Sequence, residues 1–141
     1  MKKQIEHIHW SDAPDIWMPY APAIKVSGGT TVYLAGCTAT PVYHSHPHVP
    51  EEFDGIPEDM EGQTRIVLEN IKKGLESVGA NFSDIVTSNR YCTDLSDQDA
   101  LNRVWAEYFG DNKPTTTTVQ VVQLATDPRC KIEIDAVAVI D

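Results

Sequence analysis

The closing stretch CKIEIDAVAVID, residues 130–141, decides the fold. From Lys131 to Ile140 it alternates as a β-strand does, with Ile132, Ile134, Ala136 and Ala138 on one side and Glu133 and Asp135 on the other. One side is apolar enough to sit against helices. The other carries acid, so that strand belongs to a sheet whose two faces meet different surroundings.

Working back along the chain, Thr117 to Leu124 reads as another strand, entered through the threonine run Thr115 to Thr118 that overlaps its start. Leu101, Val104, Trp105, Tyr108 and Phe109 share one helical face after Asp94-Leu95-Ser96, where Ser96 and Asp99 are spaced like a capping box. Ile85 to Thr93 is strand-like. Between about Asp59 and Val78, the residues Thr64, Leu68, Ile71, Leu75 and Val78 recur at helical spacing, and Gly79 stands where a left-handed cap would end the helix. Thr31 to Ala35 is a strand, and the Gly28-Gly29 turn makes Ala23 to Ser27 its expected hairpin partner. The expected order is β-β-α-β-α-β-β, an α/β (α+β) domain with a mixed sheet and two helices on one face. In so short a chain, a second subunit is the natural cover for the other face.

With 141 residues the chain has room for one domain, read here as 1–141. Pro41 to Gly62, rich in Pro, His, Glu and Asp and without a period, reads as a long exposed loop. The formal charge of −10 weighs against nucleic-acid binding, which needs a surplus of Lys and Arg. No apolar run of membrane-spanning length occurs. Three widely spaced cysteines, Cys37, Cys92 and Cys130, fit reduced thiols and a cytoplasmic setting rather than a disulfide framework.

Several pieces in order resemble the RidA (YjgF-type) family: Pro19-Tyr20, the strand into Ala35-Gly36, Asn70, Val78-Gly79-Ala80, Asp94-Leu95, Asn102, Pro114 opening a strand, and the ending CKIEIDAVAV. The resemblance implies a chorismate-mutase-like fold, a homotrimer, and a small-molecule site at each subunit interface. It also implies hydrolysis of reactive imines and enamines to ketoacids and ammonia, without a cofactor. In the family pattern Pro-Ala-Arg-Ser/Thr-Cys-Val, the Arg holds the substrate carboxylate. This chain has Pro114-Thr115-Thr116-Thr117-Thr118-Val119, so Thr116 stands at the Arg position and Thr118 at the Cys position. A threonine offers one hydroxyl where a guanidinium offers a charged fork. The expectation is a deaminase-type hydrolase of a C–N compound other than a standard 2-iminoacid, or alternatively a non-catalytic metabolite-binding trimer. The endoribonuclease activity attached to some family members sits poorly with the acidic charge.

Glu133 matches the family's acidic residue associated with water and is the expected catalytic group. Tyr20, Cys37, Arg90, Asn102, Thr116 and Thr118 are the expected substrate-binding residues. Arg90, mid-strand with Val86, Ser88 and Cys92, has two readings: a replacement anion anchor, or an ion pair with Glu133 or Asp135. Cys37 fits a small buried side chain better than a nucleophile, since no base is adjacent in sequence. Trp10 and Trp17 read as packing or interface rim. His44, His46 and His48, with Glu51, Glu52 and Asp54, have metal-ligand chemistry but match no metal signature, and no metal is expected. The other reading of the loop is a flap bringing Tyr43 or His44 to a ligand.

Overall fold

The computed structural model describes residues 1–141. Its elements are β1 (Gln4–Ile8), β2 (Ala23–Ser27), β3 (Thr30–Cys37), α1 (Met60–Glu76), β4 (Ile85–Cys92), α2 (Gln98–Phe109), β5 (Thr115–Gln120) and β6 (Ile132–Ile140). The order has one strand more than expected, at the N-terminus. β3, β6, β4 and β5 form a mixed sheet in that spatial order, with only the β4–β5 pair parallel.

The apolar side of β6 faces both helices, as its alternation requires. Ile132, Ile134, Ala136 and Ala138 join Val67, Leu68, Ile71 and Leu75 of α1 and Leu101, Val104, Trp105 and Phe109 of α2 in one core. Leu68 is fully buried, so Leu68→Ala removes about 2–5 kcal/mol. Asp59 caps α1 by accepting from the Gly62 amide at 3.0 Å. After α1, Gly79 takes φ +72°, while the Ala80 amide donates to the Leu75 carbonyl and closes the helix end.

Several local expectations are corrected. Ala23–Ser27 pairs with β1, not with the Thr31–Ala35 strand, because Gly28 and Gly29, both at positive φ, turn the chain out of the sheet toward Met1 and Lys2. The threonine strand is Thr115–Gln120 rather than 117–124. Val78 lies beyond α1 and is exposed. The start of α2 is prepared by Asp94, which accepts from the Ser96 amide in a 3-10 turn, instead of by a Ser96–Asp99 box. Nor is 41–62 wholly an exposed loop: Thr40 before it is buried, Pro50–Phe53 forms a 3-10 turn that buries Phe53, and α1 begins at Met60.

The second sheet face stays uncovered within one chain. Tyr33 is 80% exposed there, and Glu133, Asp135 and Tyr91 are half-buried. No helix is long and apolar enough to cross a membrane.

Candidate functional site

Strand register sorts the expected site residues into two groups. Ser88, Arg90 and Cys92 of β4 pair with Ala136, Ile134 and Ile132, and therefore point to the helix side. In the parallel partner β5, Thr116 sits opposite Ser88 and Thr118 opposite Arg90, on that same side. α2 supplies Gln98, Asn102 and Trp105, and Pro19 and Tyr20 close the end. The result is a cavity of about 250 Å³ lined by Pro19, Tyr20, Arg90, Gln98, Asn102, Trp105, Thr116 and Thr118. The amide of Ala21 donates to the carbonyl of Pro114 at 3.3 Å and so ties the Tyr20 segment to β5.

Arg90 is the dominant charge in this cavity. It is only 7% exposed, its Nε donates to Thr118 Oγ1 at 2.9 Å, its Nη1 donates to Asn102 Oδ1 at 2.9 Å, and its guanidinium lies 4.9 Å from the Trp105 ring centroid. All three partners are neutral. The expected ion pair with Glu133 or Asp135 does not form, since those carboxylates leave β6 on the opposite face. Burial pulls the Arg90 pKa down from its ordinary value, the cost of a desolvated cation without a counterion. No buried side-chain nitrogen or oxygen lacks a hydrogen bond, and Nη2, which has no partner in the chain, is left accessible at the cavity.

Glu133 belongs to the other group. It pairs with Tyr91 across the β6–β4 ladder, on the open face. Its neighbour Asp135 is tied down, accepting from the Asn89 amide at 3.1 Å, Asn89 Nδ2 at 3.2 Å and Tyr91 Oη at 3.1 Å. Glu133 has no such bonds. Burial first, and the Asp135 charge second, raise its pKa above the ordinary glutamate value. Gly36 leaves room for it: a Cβ at position 36 would lie 2.9 Å from the Glu133 carboxyl carbon.

Cys37 stands next to this pair but lines a separate groove along the β3 edge with Gly36, Tyr43 and Asn70. Burial and the Glu133 charge push its thiol pKa up, which disfavours a thiolate nucleophile. Tyr43, 95% exposed, thus borders Cys37 and not the Arg90 cavity of its own chain. Trp10 and Trp17 are 69% and 73% exposed, Trp17 under the Lys113 ammonium.

Sequence reasoning missed Trp105 and Gln98 as cavity walls and Gly36 as the clearance for Glu133. Trp105 was legible only as an apolar helix position, although an aromatic face is a favourable neighbour for a guanidinium.

Comparison with known proteins agrees with this architecture. A profile of the family described as Endoribonuclease L-PSP matches residues 10–140. A RutC family protein of Pyrococcus abyssi is 38% identical over 133 residues, 94% of this chain and 95% of its own. Reactive Intermediate Deaminase A, chloroplastic, of Arabidopsis thaliana is 31% identical across 98% of this chain and 66% of its own. Among solved structures, a YjgF/YER057c/UK114 family member from Mycobacterium tuberculosis superposes with a TM-score of 0.64 at 31% identity, over 87% of this chain and 88% of that one. A Rid family protein from Yersinia pestis reaches a TM-score of 0.76 over 99% and 100%, and its 23% identity bears on the fold alone. Matched by the family profile from Trp10 to its last strand, the chain belongs to the RidA (YjgF-type, endoribonuclease L-PSP) family.

Proposed function

We propose that this protein is a deaminase-type hydrolase of an anionic imine or enamine, working at sites shared between neighbouring subunits of a trimer. The observation that carries the reading is the buried Arg90 guanidinium, which meets no carboxylate in its own chain, lines a cavity and has no hydrogen-bond partner for Nη2. A desolvated cation of this kind is matched by an anionic ligand, and its planar fork suits a carboxylate. Arg90 thereby does from β4 what Thr116 cannot do from β5. Because adjacent strands lie about 4.8 Å apart, an anion on Arg90 sits displaced from one held at Thr116. The preferred substrate then differs from a standard 2-iminoacid in the separation between its anionic group and its C=N carbon.

The chemistry falls to Glu133. Burial raises its pKa above that of an ordinary glutamate, which makes the carboxylate a stronger proton acceptor. Water's oxygen bonds to the imine carbon as one water proton passes to Glu133, and the C=N electron pair moves to nitrogen, which takes that proton from Glu133 to give a carbinolamine. On collapse the hydroxyl proton passes by way of Glu133 to nitrogen, the C=O bond forms, C–N breaks, and ammonia leaves. Within one chain Glu133 and Arg90 are on opposite faces, so a complete site requires the β5-side cavity of one subunit against the Glu133 face of the next. The relative named Reactive Intermediate Deaminase A supports this reading at the level of the reaction class.

The test is ammonia release from imines generated in situ by an amino-acid oxidase, using a series that varies the distance between carboxylate and C=N. Turnover that needs both Glu133 and Arg90 is expected. Saturable ligand binding without any ammonia release would leave a metabolite-binding trimer instead.

A further inference from the structure

The loop before α1 holds a second constellation, separate from the residues used above in chemistry. The rings of His44, His46 and His48 form a nearly equilateral triangle, with centroids 4.8 Å, 5.2 Å and 4.9 Å apart, and their candidate ligand atoms all lie within 4.8 Å of one another. We propose that His44, His46 and His48 are a three-imidazole site for a borderline divalent transition metal, such as Zn2+, Co2+ or Ni2+.

Features outside the triad hold it in place. The Pro41 carbonyl can only accept, so its 2.7 Å contact with His44 Nδ1 puts the proton there and leaves Nε2 with a free lone pair. Ser45, between two of the histidines, is fixed by Glu52, whose carboxylate accepts from its amide at 2.9 Å and its hydroxyl at 2.5 Å. Phe53, 1% exposed, forms the floor, meeting His44 and His48 edge-on with centroids at 5.2 Å and 5.8 Å. Arg129 clamps the far side through Asp54 and the Pro50 carbonyl.

Crowding three imidazoles is unfavourable if they are protonated and favourable if they share one cation. The surroundings favour a cation: the Glu52 carboxylate is held on Ser45, between His44 and His46 in the chain, and the chain carries −10 overall. All-nitrogen ligation selects zinc-like ions over Mg2+ and Ca2+, which prefer oxygen. His46 and His48 are exposed, so a fourth position stays open to water or an anion, as in exchangeable sites rather than closed structural ones. The bound ion would fix Pro41 to His44, and with them Tyr43 at the groove beside Cys37.

The experiment is a titration of tag-free, chelator-stripped full-length protein with Co2+, followed by visible absorption and then by Zn2+ displacement. One ion per chain is expected, with four- or five-coordinate cobalt bands and no competition from Mg2+. His46→Ala and His48→Ala, both at exposed positions, should each weaken binding by at least the ~10–100-fold that loss of an outer-shell partner costs, while circular dichroism stays unchanged. His7→Ala/His9→Ala should bind as the parent does. Absence of saturable one-to-one binding, or binding that survives in the loop variants and is lost with His7 and His9, would overturn the assignment.

Discussion

Arg90 and Glu133 come from adjacent strands, one residue out of register, and project from opposite faces of the sheet: Arg90 is paired with Ile134, and Glu133 with Tyr91. The sheet order adds a second separation. The Arg90 cavity lies at the β5 edge, whereas Gly36, which makes room for Glu133, is on β3 at the other edge. On the reading proposed above, in which Arg90 anchors an anion and Glu133 transfers a proton, the two act together only across a contact between two chains.

Arg90→Met retains the length and apolar stem of the side chain but removes its charge. A charged hydrogen bond is worth about 1.5–3 kcal/mol, so kcat/KM for an anionic imine should fall roughly 10–150-fold. Stability should hold or rise, because the variant no longer buries an unpaired cation. Steady-state kinetics and thermal melts check both halves; a large loss of Tm with unchanged kcat/KM would make Arg90 a structural residue.

Glu133→Gln should trade activity for stability. Folding raises the Glu133 pKa, so the folded chain binds more protons than the unfolded one in the window above the unfolded value of about 4.3. Below that window Glu133 is protonated in both states and carries no penalty; as pH rises through the folded pKa, stability is lost. The Gln variant lacks this term. It should melt above the parent at neutral pH, with the gap closing toward pH 4, as urea unfolding at several pH values would show.

Gly36→Ala tests the clearance beneath Glu133. The backbone at position 36 does not need a positive φ, so the effect should come from the methyl group, which would meet the Glu133 carboxyl carbon at 2.9 Å. A displacement of ~1 Å costs about 100-fold in rate. A fall in kcat with KM little changed is expected, in a protein whose melt is near that of the parent.

Much of this arrangement is legible in the sequence because it follows local periods. The β6 alternation and the α1 spacing from Thr64 to Leu75 place the core directly. Tyr20, Asn102, Thr116 and Thr118 line one cavity together with Arg90, although they come from four separate segments. What escaped depends on long-range geometry. Gly28-Gly29 has the composition of a hairpin turn, but the preference for β1 over β3 as partner of Ala23–Ser27 is a tertiary outcome. The Arg90 alternatives turned on which face meets which edge. The histidine spacing matches no metal signature, because the triangle depends on the Ser45–Glu52 and Phe53 contacts and not on a helical or strand repeat.

Complementation between subunits bears most directly on the shared site. Arg90→Met and Glu133→Gln chains, each expected to be strongly impaired alone in ammonia release, are unfolded together, refolded as a mixture, and assayed against the separately refolded controls. If each site takes its cavity from one chain and its carboxylate from the next, random assembly into cyclic trimers restores about a quarter of parental activity, since one neighbour pair in four joins an intact Arg90 to an intact Glu133. If both residues act from the same chain, every site in the mixture lacks one of them, and a mixed trimer that is as inactive as the two controls would contradict the shared site.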